Sequence, residues 1–354
     1  MDVPSVDIAF ERRGAAGVVT LNRPQALNAV THAMVGALAT QLASWRDDAA
    51  VTRVIVKTSG ARAFSAGGDI RALYEQGKAG RQAEALQFFR VEYALNTAIK
   101  RFPKPYVALI DGIVMGGGVG ISIHGSHRIA GDGYQFAMPE VGIGFFPDVG
   151  ATWALPRLPG EIGTYLALTG SRLKTSDGVL AGTATHHVKS ARFAELFDAL
   201  CEPVPVNAVL AGFSAAPGAG ETMPRRRAID RIFSGADVES ILAALEKEAK
   251  SGTGDAQWAG ETAATMTSKS PTSLKIALEQ MRRGTALSFE DCMALEFRIV
   301  SRVLYGHDLY EGIRAVIVDK DNAPKWRPAR LEAVSRSEVM RHFEPLGTEE
   351  LRLS

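Results

Sequence analysis

The sequence predicts an α/β fold of repeated strand–strand–helix units followed by a mainly helical C-terminal region. Three observations carry that expectation. Strand and helix signals alternate through the first part of the chain. The turns from strand to helix carry glycine, in Ala66-Gly67-Gly68-Asp69 and in Gly116-Gly117-Gly118. Beyond Ser190 the strand signals stop and helical periodicity takes over.

Val6, Ile8 and Phe10 alternate, Gly14 to Gly17 supplies a turn and Val18 to Leu21 returns, which predicts a hairpin. A helix is expected to begin near Thr31, because Met34, Leu38, Leu42 and Trp45 recur on one face. Arg53 to Lys57 is the next strand, running into the loop Ser65 to Asp69 and a helix from Ile70. Gln82 to Arg101 reads as a longer helix, stopped by Phe102 and Pro103. Tyr106 to Ile110 is a buried strand that enters the glycine turn and another helix. Short strands follow at His127 to Ala130 and Tyr134 to Ala137. Later helices are expected over 238–250, 260–267, 271–284 and 288–305. The change of character lies between 190 and 225. It divides the chain into a core over 1–205 and a helical region over 206–354.

Lysine plus arginine number 40 and aspartate plus glutamate 39, so the net charge of +1 gives no footprint for nucleic acid. Hydrophobic residues at 46% and charged residues at 22% fit a globular chain with a sizeable core and exclude extensive disorder. Cys201 and Cys292 form neither a disulfide framework nor a zinc-ligand cluster, which favours a reducing compartment. The first residues, with Asp2 and Asp7, lack a signal-peptide pattern. The most apolar stretch, Tyr106 to Ile123, is broken by Asp111 and several glycines, so no membrane span is expected. Together these point to a cytoplasmic protein.

Chemistry concentrates in three places. The paired glycine loops present backbone N–H groups at helix starts, where they can polarise a carbonyl. GxxxxGK[ST], GxGxxG and GxSxG all fail on these residues, which removes the P-loop, dinucleotide and α/β-hydrolase readings. Glu140 and Asp148, each after a proline, bracket an apolar, glycine-rich loop with no cation within five residues. Carboxyls in such surroundings hold their protons tightly, which suits acid–base work. Glu92 projects from the apolar face that Phe88, Phe89, Leu95 and Ile99 form on the helix from Gln82. A buried acid there either fixes the core or touches substrate. His124, His127, His186 and His187 show no metal-ligand spacing and are read as structural, so no metal is assigned.

Ala63-Phe64-Ser65-Ala66-Gly67-Gly68-Asp69-Ile70, Gly112 to Gly118, Met138-Pro139-Glu140 and Asn22 to Ala29 resemble the crotonase (enoyl-CoA hydratase/isomerase) superfamily. Within it, three features are similar to the 3-hydroxyisobutyryl-CoA hydrolase branch. Gly120 stands where hydratases place a second glutamate, Phe145 to Gly150 matches the hydrolase loop, and the tail Gly312 to Pro328 matches too. Val91 before Glu92, and Ala151-Thr152-Trp153, depart from the branch pattern.

The resemblance implies a crotonase-like spiral, an acyl-CoA substrate and no cofactor beyond the CoA that is part of that substrate. It implies amide donation to the thioester oxygen from Ala66 and Gly117, with Glu140 and Asp148 as the catalytic acids. Glu92, Gly68 and Gly116 would line the acyl site. Gln25, Ala26, Leu27, Gly67, Asp69 and Ile70 would hold CoA. The C-terminal helices would cover the active site, and a homo-oligomer, trimer or hexamer, is expected. The implied activity is thioester hydrolysis in valine degradation. An enoyl-CoA hydratase/isomerase and a catalytically silent acyl-CoA-binding subunit are the alternatives.

Overall fold

The computed structural model describes residues 7–60 and 62–353, so Asp2 and Val6 of the sequence reading lie outside the described residues. Its strands are β1 (Ile8–Arg13), β2 (Ala16–Leu21), β3 (Arg53–Thr58), β4 (Ala63–Ser65), β5 (Tyr106–Ile110), β6 (Ile113–Met115), β7 (His127–Ala130), β8 (Gln135–Ala137), β9 (Leu173–Lys174) and β10 (His186–His187). They form two sheets, ordered β1-β2-β3-β5-β7-β10 and β4-β6-β8-β9. The hairpin β1–β2 is antiparallel, while β2, β3, β5, β7 and β10 run parallel. Parallel strands covered on both faces read as continuous apolar runs, and β5 is buried at every position. The architecture is the predicted mixed α/β class.

One face of the larger sheet offers Val18, Ile55, Val107, Leu109 and Ile129, and Leu196, Phe197 and Leu200 pack on it. The helix His32–Asp47 begins where Thr31 caps it, with the Met34 N–H donating to Thr31 Oγ1 at 3.2 Å. Its expected apolar face, Met34, Leu38, Leu42 and Trp45, is buried. Gly17 makes room for that face, since a Cβ there would sit 2.6 Å from the Trp45 ring.

The chain divides into two compact units, neither of them continuous in sequence. The first comprises the residues up to Asp69, Ala94–Ala137 and Arg172–Met223; it holds both sheets. The second comprises Ile70–Tyr93, Met138–Ser171 and the residues from Pro224 onward. A linear division at 205 therefore differs from the observed one. The cause is packing that a linear reading does not see: Phe89 stacks on Phe145 at 5.7 Å, and Gly312 lets its helix meet the backbone of Ile143. No helix among the described residues is long and apolar enough to cross a membrane.

In the first unit the loop Asn22–Val30 is strapped to the loop after β4. Ala66 N–H donates to Leu27 O at 3.0 Å, Val30 N–H to Gly67 O at 2.8 Å and Asp69 N–H to Val30 O at 3.1 Å. Asn28, fully buried at φ 54°, accepts from Arg23 N–H at 2.8 Å and donates to Ala63 O at 3.0 Å. Asn28→Ala strands both partners and removes a residue tolerant of left-handed backbone. It is expected to cost about 1–3 kcal/mol in urea unfolding of the purified chain. An unchanged midpoint would mean the strap is redundant.

Candidate active site

The first unit brings together the glycine turns and the loop expected to hold CoA. Pro24–Ala26 forms a single 3-10 turn, closed by Leu27 at φ 50°. The bonds just described set Leu27 against Ala66 and Val30 against Gly67 and Asp69. The second turn lies beside the first: a Cβ on Gly67 would be 4.0 Å from Gly117 N, and one on Gly118 would be 2.5 Å from Ser65 O. Gly116, at φ 46° and ψ −125°, adopts a backbone that only glycine takes readily. Ile70 follows Asp69 directly but opens the second unit.

These bonds correct one expected role. The Ala66 N–H is committed to Leu27 O and is not open to a ligand. Val30 bonds to Gly67 and Asp69, the residues on either side of Gly68, so the Gly68 N–H points to the opposite side of the strap. Gly117 is the first residue of the short helix Gly117–Gly120, where no earlier helical carbonyl can accept its N–H. Among the described residues neither the Gly68 nor the Gly117 amide donates a hydrogen bond. The open pair is therefore Gly68 and Gly117.

The second unit gathers carboxyls. Glu92, Glu140, Asp148 and Glu296 are all buried, and no lysine, arginine or histidine is bonded to any of them among the described residues. Glu140 opens the 3-10 turn Glu140–Ile143, which is pinned where Ser270 N–H donates to Val141 O at 3.3 Å. Tyr93 Oη donates to Asp148 Oδ2 at 2.9 Å. Burial pushes the Asp148 carboxyl up to about 7, against the pull of the Tyr93 hydroxyl. Glu296 is pushed up to about 8 by burial and then by the charge of Asp148. Burial raises Glu140 and Glu92 well above the ordinary carboxyl value, and the neighbouring acids Asp148 and Glu296 raise both further. Glu92 Oε1 and Glu140 Oε2 are buried without a hydrogen-bond partner, as befits groups that await a ligand.

Sequence reasoning found Glu92, Glu140 and Asp148 but missed Tyr93 and Glu296. Glu296 sits among the buried Met293, Leu295, Phe297 and Val300 of the helix Phe289–Val303, and an acid in such a stripe was a legible signal. Tyr93 gave none, because a tyrosine on a buried helix face is ordinary core. His124, His127, His186 and His187 lie in the first unit: His127 Nε2 is 2.8 Å from Asn207 Oδ1, and His187 Nε2 is 2.9 Å from Asp132 Oδ1.

Open amides in adjoining glycine turns, in a fold of parallel strands, suit an enzyme class that acts on an activated carbonyl. The chain belongs to the enoyl-CoA hydratase/isomerase family, whose sequence pattern matches residues 16–343. Among its relatives are the proteins named mitochondrial 3-hydroxyisobutyryl-CoA hydrolase from Danio rerio and from Homo sapiens. The first is 43% identical over 98% of this chain and 92% of its own, the second 42% identical over 98% and 90%. A solved structure described as a carnitinyl-CoA dehydratase from Mycobacterium thermoresistibile is 42% identical, with a TM-score of 0.92 over 98% of each chain. Another, described as an enoyl-CoA hydratase from Rhodobacter sphaeroides, is 40% identical with a TM-score of 0.91 over 98% of this chain and all of its own. The expected cytoplasmic location does not stand, since these hydrolase relatives are named as mitochondrial. That expectation rested on cysteine use and on the first few residues, neither of which reports the compartment.

A buried acid whose pKa is raised on folding binds its proton more tightly in the folded chain. The stability it contributes is intact below its ordinary pKa and is lost as pH rises through the folded value, here from about 4 to about 7 for Asp148. Asp148→Asn keeps an acceptor for Tyr93 and removes that loss. It is expected to raise the thermal unfolding midpoint at pH 8 by about 2–4 °C for each kcal/mol relieved, with little change at pH 4. An equal shift at both pH values would contradict the assignment.

Proposed function

We propose that the chain hydrolyses 3-hydroxyisobutyryl-CoA to 3-hydroxyisobutyrate and free CoA. The observation that carries the reading is Glu140, buried in an acidic and apolar setting with Oε2 unpartnered. The names of the 43% and 42% identical relatives support the same substrate. The amides of Gly68 and Gly117 receive the thioester oxygen and stabilise the charge that develops on it. Glu140, once ionised, either draws a proton from water as water attacks or attacks the thioester carbon itself, expelling CoA thiolate and leaving an anhydride for water to open. Asp148, with its proton held near neutral pH, donates to the substrate hydroxyl or to the departing sulfur. Glu92 lines the acyl site. Gln25, Ala26, Leu27, Gly67, Asp69 and Ile70 hold the CoA moiety. In this reading the chain serves valine degradation and self-associates.

The second reading is hydration of an enoyl-CoA, favoured by the names of the two similar solved structures. It needs a second acid on the glycine turn, and that turn carries Gly120. Thiol release from 3-hydroxyisobutyryl-CoA and loss of enoyl absorbance from crotonyl-CoA separate the two. Thiol release is expected, rising with pH along a limb above the ordinary carboxyl range because Glu140 must lose its proton. Glu140→Gln is expected to lower it by about 10²–10⁴. Enoyl consumption without thiol release would reverse the reading.

A further inference from the structure

The backbone that presents Asp148 is not relaxed. Val149, a β-branched residue, stands at φ 54°, and Gly150 follows at φ 87°. Left-handed backbone at a valine is costly and persists only where its surroundings hold it. Here the holding groups come from two helices of the same unit. From the helix Pro271–Gly284, Gln280 Nε2 donates to Pro147 O at 2.5 Å and to Thr152 Oγ1 at 2.6 Å. From the helix Phe289–Val303, Glu296 takes Gly150 N–H on Oε2 at 2.8 Å. On Oε1 it takes Thr152 N–H at 2.9 Å and the Thr152 hydroxyl at 2.6 Å. Gln280 and Glu296 are fully buried. The donors run in one direction, from the Gln280 amide to the Thr152 hydroxyl to the Glu296 carboxylate.

We infer that Glu296, Thr152 and Gln280 form a clamp that fixes the backbone on both sides of Asp148 and so aims its carboxyl for reaction. The clamp grips the residue before Asp148, Pro147, and the second and fourth residues after it, Gly150 and Thr152. Tyr93 fixes the side chain between them. The three are positioning residues and need not touch substrate. An acid is required at 296 because both of its oxygens face donors. A glutamine would turn its NH2 group onto the N–H of Gly150 or of Thr152, and the strained turn would relax.

The inference rests on the thioester-hydrolase reading, and Glu140→Gln assayed beside the clamp variants keeps the two separable. Thr152→Val removes the hydroxyl at nearly constant volume, and Thr152→Ser restores it. With thermal unfolding and circular dichroism confirming folded enzyme, Glu296→Gln and Thr152→Val are expected to lower kcat by about 10–100-fold with KM changed less than about threefold. Thr152→Ser is expected to recover most of kcat. If Glu296→Gln does not fold, the Thr152 pair decides alone. Wild-type kcat in folded Thr152→Val, with Glu140→Gln inactive, would overturn the clamp and leave the hydrolase reading intact. Full activity in Glu140→Gln would overturn the hydrolase reading itself. A fall in thermal stability with kcat per folded molecule unchanged would reduce the network to a structural one.

Discussion

Placing several carboxyls in a protein interior without a cation is the constraint on which the second unit is built. A lone buried carboxylate costs several kcal/mol, and neighbours of like charge add to that cost. Burial shifts the group toward keeping protons: Asp148 is pushed up to about 7 and Glu92 and Glu140 are displaced the same way, while the rise of Glu296 to about 8 is opposed by the three donors that its two oxygens accept. An acid such as Asp148 is a poor contributor to stability and a good reagent, since it exchanges its proton close to physiological pH. Hydrogen bonds from Tyr93, Thr152 and the backbone of Gly150 and Thr152 offset part of the cost and fix the geometry.

The first unit meets a different demand, which is to leave polar backbone unpaired. Most buried N–H groups find acceptors. At Gly68 the strap from Val30 bonds on either side and turns the amide away; at Gly117 a helix start leaves the N–H with no carbonyl before it. Asn28 and the left-handed Leu27 hold the strap in place, so the open amides are a product of how the first unit folds.

Much of this was legible in the sequence because it is local. The Thr31 cap, the face of Met34, Leu38, Leu42 and Trp45, and the strand Tyr106–Ile110 follow from period and capping alone. The glycine turns and the pair Glu140 and Asp148 showed themselves by composition, as glycine at helix starts and acids without cations. What was hidden depends on contacts between distant parts of the chain. The Ala66 amide looked as available as any other until Leu27, far back in the sequence, was seen to take it. Likewise nothing near Asp148 announces that residues 280 and 296 hold its backbone. The linear boundary at 205 failed to follow the compact units for the same reason, since residues 70–93 and 138–171 belong with the later helices.

The central claim is that burial makes Glu92, Glu140 and Asp148 hold their protons more tightly than ordinary carboxyls do. Infrared difference spectroscopy of the carboxyl C=O stretch tests it most directly, comparing wild-type enzyme with Glu92→Gln, Glu140→Gln and Asp148→Asn across pH 4 to 9. The account predicts bands of neutral, dry carboxylic acid that persist above the ordinary carboxyl range, each lost in one variant, with the Asp148 band disappearing around pH 7. A spectrum with only ionised carboxylates at pH 6 and above would contradict it.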